Sequence, residues 1–155
     1  MGKNLRLEPV TEDNFEQAIE IKVAPDQEDF VATVEYSLAE AYVNRNKAWP
    51  RVIMDDDTMV GFVMAFYDDE FEGRLISGLW RLNIDAAHQG KGYGRFAVRA
   101  VGEEILRRGT STVITTSWGE GEHGPEKFYR RLGFVPTGET VADGEIVAEL
   151  ALFSS

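Results

Sequence analysis

Gln89-Gly90-Lys91-Gly92-Tyr93-Gly94-Arg95 sits between a strand-like run, Leu79 to Ile84, and a helix-like run, Phe96 to Leu106. A glycine-rich turn joining a strand to a helix exposes a row of backbone N–H groups at the positive end of a helix dipole. That is a site for a pyrophosphate. Glycine serves there because it accepts positive φ and lets a ligand approach the backbone closely. Two familiar phosphate loops do not fit. The dinucleotide fingerprint G-x-G-x-x-G needs a third glycine at position 95, which is Arg95, and the P-loop G-x-x-x-x-G-K-[ST] occurs nowhere in the chain.

A second motif follows about 30 residues on, Gly124-Pro125-Glu126-Lys127-Phe128-Tyr129-Arg130-Arg131-Leu132-Gly133-Phe134. It reads as a short helix. Pro125 suits the first helical position and Glu126 the first turn. Arg130 and Arg131 fall in the last turn, with Gly133 just beyond it. Taken alone, Tyr129 is a buried aromatic on a short helix.

Working outward, the spacing predicts β-α-α-β-β-β-α-β-α-β-β. Leu5 to Val10 alternates and predicts a first strand. Thr11 is placed as the N-cap of a helix through about Ile21. Pro25 and Asp26 start a second helix, whose apolar positions Phe30, Val31, Val34, Leu38, Ala41 and Tyr42 follow the helical period. Glu28, Glu35 and Tyr42 share a flank of it. Pro50 ends that region, and Arg51 to Met54 is a short strand. Met59 to Tyr67 is apolar nearly throughout, which predicts a strand covered on both faces. Asp68 to Gly73 is an acidic turn, and Leu75 to Ile84 is the strand that enters the glycine loop. After the third helix, ending at Arg107, Arg108 and Gly109, come a strand over 112–117 and a loop over 118–124. Strands over 134–137 and 146–152 close the chain, joined by a turn at Asp143-Gly144. This is a single α+β domain over residues 1–155, a mixed, mostly antiparallel sheet flanked by helices.

Composition narrows the function. The chain has 155 residues, no cysteine, two histidines and a net charge of −11. Disulfides, a cysteine nucleophile and a histidine metal cluster are excluded, and so is the basic surface that nucleic acid needs. No apolar run is long enough to span a membrane. A cytoplasmic location is expected. Residues 1–80 hold 17 Asp and Glu against 7 Lys and Arg, whereas residues 81–155 hold 10 against 9. The half with the glycine loop is nearly neutral, and the acidity sits in the other half. Such a split suits a protein that joins an anionic ligand to a cationic one.

The glycine loop has the form Q-x-x-G-x-G, and with the strand before it the loop resembles the acyl-coenzyme A loop of the GNAT family of N-acetyltransferases. Tyr129 to Phe134 resembles that family's Y-x-x-x-G-F signature, and the element order is similar to the GNAT fold over Leu5 to Leu152. The resemblance implies acetyl-CoA as co-substrate, no metal, and direct transfer to a primary amine. It implies that Leu82, Asn83 and Ile84 bond the pantetheine arm through their backbone, like an added strand. It places Gln89, Gly90, Lys91, Gly92, Tyr93, Gly94 and Arg95, with Lys127, at the coenzyme A phosphates, and makes Tyr129 the acid that protonates the leaving thiolate. Where some relatives carry a glutamate before the loop, this chain has Leu79-Trp80-Arg81-Leu82, so no general base is assigned.

Within the family the chain is similar to bacterial spermine/spermidine acetyltransferases. The carriers are residues 35–42, Gly61-Phe62-Val63-Met64, and the tail Thr137-Gly138-Glu139 with Gly144-Glu145. That implies a polyamine acceptor, spermidine or spermine, with Glu35 and Trp80 as the expected substrate-binding residues, and leaves a homodimer open. Two other classes remain. One is an acetyltransferase for an antibiotic amine or a protein N-terminus. The other is a non-enzymatic acyl-CoA sensor, whose hallmark would be loss of Tyr129 or the glycines.

Overall fold

The computed structural model describes residues 4–141 and 144–153. Seven strands form one sheet: β1 (Leu5–Pro9), β2 (Ala48–Asp55), β3 (Thr58–Phe71), β4 (Arg74–Ile84), β5 (Val113–Trp118), β6 (Val135–Val141) and β7 (Glu145–Ala151). Four helices cover it: α1 (Phe15–Ile19), α2 (Val34–Val43), α3 (Tyr93–Arg108) and α4 (Glu126–Leu132). The strand order is β1-β2-β3-β4-β5-β7-β6. Every neighbouring pair is antiparallel except β4 and β5. No helix among the described residues is long and apolar enough to cross a membrane.

The sheet separates two cores. On one face α3 and α4 pack Ala97, Val101, Ile105 and Tyr129 against Val63, Ile114, Trp118 and Ala148. On the other, Ala18 and Ile21 of the α1 region and Val34 and Ala41 of α2 cover Val52, Phe62 and Met64. The central strand β3 is therefore buried on both sides over 59–65. Each such side chain contributes about 1.5–3 kcal/mol of hydrophobic stabilisation. Helix α3 is bounded by two left-handed glycines, Gly92 (φ 88°) and Gly109 (φ 76°), and α4 ends on Gly133 in the same conformation.

The element order agrees with the spacing, but several boundaries shift for physical reasons. Thr11 does not cap α1, which begins at Phe15. Its hydroxyl instead accepts from Asp13 N–H in a turn. Pro25 and Asp26 start only a three-residue 3₁₀ turn, Pro25–Gln27. The second helix starts at Val34 because Thr33 caps it, its Oγ1 accepting from Tyr36 N–H at 3.2 Å. Glu28, Phe30 and Val31 thus lie outside it. Pro50 sits inside β2 and does not precede it. Strand β1 pairs only with residues 51–55, so Pro50 lies where β2 is an edge on that side and needs no ladder donor. The acidic stretch from Asp68 is not a turn. β3 runs on to Phe71 through a register shift, and the turn is at 72–73. Pro125 precedes the first residue of α4. Asp143 of the expected last turn lies outside the described residues.

Candidate active site

Strands β4 and β5 meet in the ladder at one pair, Gly78 and Thr115. A Cβ at Gly78 would lie 1.8 Å from the Thr115 carbonyl oxygen, so only glycine permits the contact. Beyond this pivot the strands separate, and a cavity of about 1300 Å³ opens between them. Leu79 to Leu82 of β4 and Thr115 to Trp118 of β5 line its walls.

The β4 wall carries a bulge. Met64 of β3 pairs with Arg81 and Ala65 with Leu79, so Trp80 is the extra residue. The consequence is a change of phase. Leu79, Leu82 and Ile84 all belong to the α3 face. Trp80 packs on the α1–α2 core, and there too Arg81 reaches Glu40 and Asn83 donates to the Ala32 carbonyl. Strict alternation would have put Leu79 and Arg81 together. The backbone divides as well. Asp85 N–H donates to Val60 O on β3, and in an antiparallel strand alternate residues address the same edge. Asn83 therefore turns its backbone groups to β3, while those of Leu82 and Ile84 face the gap. The expected three-residue backbone contact reduces to two residues, with Asn83 anchoring β4 from behind.

At the end of β4, the Gln89 amide is tied to its neighbours. Its Nε2 donates to Ile84 O at 3.0 Å and to Gln27 Oε1 at 2.7 Å, which braces the loop against the 3₁₀ turn. Gly90 (φ 76°) and Gly92 (φ 88°) are both left-handed, and a Cβ on either would meet nothing within 4 Å. The loop is open on the side where these Cβ atoms would point. Gly94 has a different reason to be glycine, since its Cβ would stand 2.9 Å from the Phe128 ring; it lets α3 and α4 pack closely. Tyr93 turns its side chain into the core and donates to Asp55 Oδ2 at 2.5 Å. That hydrogen bond raises its pKa. Arg95 lines the cavity, but Lys91 and Lys127 are exposed and do not.

Tyr129 reaches the gap from α4. Its ring stacks on Trp118 at 5.8 Å and meets Phe128 and Phe134 edge-on at 5.0 and 5.3 Å. Burial pushes its phenol up to about 12, partly offset by a hydrogen bond with the Thr116 side chain. The group is thus a neutral, positioned O–H at ordinary pH. On the two strands that line the gap, Thr115 Oγ1, Trp118 Nε1 and Arg81 Nε are buried with no hydrogen-bond partner.

The end of the cavity bounded by α2 and the 24–33 segment differs from expectation. Glu35 does not line the cavity; its carboxylate faces Lys22 at 3.6 Å on the exposed side of α2. Glu40, five residues on, does line it, paired with Arg81 at 2.6 Å. Lys47 and Asp69 form a second pair at 3.2 Å. The Trp80 ring lies beneath both cations, 5.6 Å from Lys47 Nζ and 5.9 Å from Arg81 Cζ. Phe30 roofs this end, with its ring against Gly121 and Gly124 of the loop after β5. On β5, Ser117 Oγ donates to Glu145 Oε1 of β7 at 2.8 Å, and both residues line the cavity. Sequence reading missed Thr116, Ser117, Glu40 and Glu145, none of which carries a local signal of its role.

The sequence model of the acetyltransferase (GNAT) domain matches residues 44–136, which run from the end of α2 past α4. The chain belongs to the GNAT acetyltransferase family. It is an acetyl-CoA-dependent N-acetyltransferase. Solved GNAT structures share its fold over nearly their whole length. An aminoglycoside acetyltransferase, AAC(6')-Ib in complex with coenzyme A, superposes with a TM-score of 0.74 at 19% identity, covering 96% of this chain and 95% of that one. An acetyltransferase from Thermus thermophilus gives 0.68 at 17% identity, covering 96% and 97%. The ribosomal-protein-S18-alanine N-acetyltransferase from Escherichia coli gives 0.65 at 14% identity, covering 97% and 96%. None of the curated proteins compared with the chain matches it.

Proposed function

We propose that this GNAT protein transfers acetyl directly from acetyl-CoA to a primary amine of a small polycation, with the polyamines spermidine and spermine as the first candidates. The observation that carries the transfer is the splayed β4–β5 gap, with the open glycine loop at one end and the Tyr129 hydroxyl in its wall. In this reading the N–H groups of the 89–94 loop and the α3 dipole hold the pyrophosphate, with Arg95 beside them. Leu82 and Ile84 take the pantetheine arm as an added strand. Bound acetyl-CoA supplies an activated acyl group whose leaving thiolate needs a proton, and Tyr129 gives it one. The intact glycines and Tyr129 favour an enzyme over a non-catalytic sensor.

The acceptor class follows from charge. Among the described residues, the cavity is lined by Asp29, Glu40, Asp69 and Glu145 against Lys47, Arg81, Arg95 and Arg131. Glu40 and Asp69 are paired with Arg81 and Lys47, and the remaining carboxylates of Asp29 and Glu145, and not Glu35, are what support a cation. A charge-assisted hydrogen bond in such a pocket contributes about 1.5–3 kcal/mol. Spermidine, spermine, the aminoglycoside kanamycin and an alanine-initiated peptide, assayed for thiol release with acetyl-CoA, separate the classes. The polyamines are expected to turn over with the highest kcat/KM, and their KM to rise with salt. Turnover of the peptide alone would show the acceptor to be a protein N-terminus.

The loop makes its own prediction. In Gly92→Val the β-branched side chain is strained at φ 88° and projects into the open side of the loop. The acetyl-CoA Kd, read by calorimetry on folded protein, should rise at least about tenfold, equivalent to about 1.4 kcal/mol. Unchanged binding would remove the pyrophosphate from this loop.

A further inference from the structure

The proposed chemistry needs a proton acceptor for the attacking amine, and the usual place for a carboxylate, the strand before the glycine loop, holds Trp80 and Arg81. Of the four carboxylates that line the cavity, Asp29 is exposed and two are already committed. Glu40 is bound to Arg81 at 2.6 Å and Asp69 to Lys47 at 3.2 Å. A carboxylate neutralised by a fixed cation is a poor base. Glu145 differs. Its partner is the neutral hydroxyl of Ser117, which donates to Oε1 at 2.8 Å.

The placement of that pair decides its use. Side chains alternate along β5. Ile114, Thr116 and Trp118 face α3 and α4, where Trp118 stacks on Tyr129 and Thr116 hydrogen-bonds to it. Ser117 therefore faces the other way, toward the α1–α2 side. On β7, Ile146 and Ala148 belong to the α3–α4 core, which puts Glu145 on the same side as Ser117. Thr116 and Ser117 are consecutive on β5, which walls the gap opposite β4. A proton donor thus stands on one side of that strand and a hydroxyl–carboxylate pair on the other, with the cavity passing its edge.

We propose that Ser117 and Glu145 form the proton relay that takes up the proton of the attacking amine. This rests on the functional reading above. As the amine nitrogen bonds to the acyl carbon, its N–H bond breaks and the proton passes to Ser117 Oγ. The Ser117 O–H proton passes in the same step to Glu145 Oε1. When the C–S bond breaks, the thiolate receives the Tyr129 proton. Glu145 then returns its proton to solvent, and solvent returns one to Tyr129. One proton leaves the amine, one reaches the thiol, and both residues end as they began. Ser117 is the catalytic contact and Glu145 acts through it.

The test uses the full chain, acetyl-CoA, and spermidine and kanamycin as acceptor probes. Glu145→Gln keeps an oxygen acceptor for Ser117 and removes the base. It should lower kcat about 10²–10⁴-fold, with the acetyl-CoA Kd unchanged by calorimetry. The pH dependence of kcat should change shape in this variant, because the group that takes up the proton is gone. Ser117→Ala should lose a comparable amount, and Ser117→Thr, which keeps the hydroxyl, should recover most of it. A merely structural pair would move the melting temperature and leave the pH profile in place. A binding-competent Glu145→Gln with kcat within about threefold of wild type, well short of the loss expected for a base, overturns this proposal alone. A wild-type protein that does not bind acetyl-CoA overturns the functional reading and the relay with it.

Discussion

Tyr129→Phe lowers kcat by about 10²–10⁴-fold, the usual loss on removing a positioned acid, and leaves the acetyl-CoA Kd unchanged. The ring is retained, so the stack on Trp118 and the edge contacts with Phe128 and Phe134 survive. Only the O–H is removed. A loss in kcat without a loss in binding marks an interaction made in the transition state. Steady-state thiol release and calorimetry together check it, and a variant that keeps its kcat would reduce Tyr129 to packing.

The pH dependence gives an independent readout. Burial raises the phenol from its ordinary 10.0 to about 12. Below pH 10 both folded and unfolded chains hold the proton. Between 10 and 12 only the folded chain does, so the unfolded state gains stability as pH rises through that window. The stability associated with a neutral Tyr129 is complete below pH 10 and is lost on the way to 12. Urea midpoints at about pH 9 and about pH 11 should therefore fall less in Tyr129→Phe than in the wild type.

What the sequence made legible was local. The glycine loop joins adjacent elements, and positive φ at Gly90 and Gly92 leaves its mark in the residues themselves. The same holds for α4, where Gly133 stops the helix four residues after Tyr129. The GNAT order of strands and helices followed from such punctuation. The missed features depend on contacts between distant segments. The bulge at Trp80 shows only when β3 is laid beside β4, and it puts Trp80 and Arg81 on the same face. Glu35 is expected as a substrate residue from the resemblance of residues 35–42 and the acidity of the first half of the chain, and neither fixes where its carboxylate points. Thr33 starts α2 too late for Glu28 to join it, and the phase turns Glu35 toward Lys22. Ser117 and Glu145 are 28 positions apart and meet only because β7 pairs with β5. Gly78 owes its role to Thr115, 37 positions away on β5.

That glycine sets the gap on which the site is built. At Gly78 a Cβ would stand 1.8 Å from Thr115 O, 2.6 Å from its carbonyl carbon and 2.8 Å from its nitrogen. All three atoms are backbone, so no flexible side-chain end can yield. Gly78→Ala must part β4 from β5 at their one ladder pair. Overpacking commonly costs about 1–3 kcal/mol and more where nothing can move, so a loss of about 3 kcal/mol is expected. In a domain of this size that lowers Tm by about 6–12 °C. Gly73→Ala is the control. Unlike Gly78 it sits at positive φ, 81°, and nothing lies within 4 Å of its Cβ. It should carry only the backbone strain, about 1 kcal/mol, and keep wild-type kcat. Gly78→Ala should differ in kind. Separating the strands moves Tyr129, held through Trp118 and Thr116 on β5, away from the backbone of Leu82 on β4, and a displacement of about 1 Å between reacting groups can cost about 100-fold in rate. Wild-type Tm and kcat in Gly78→Ala would mean that the two strands need not touch there, and that the gap is held open by something other than this contact.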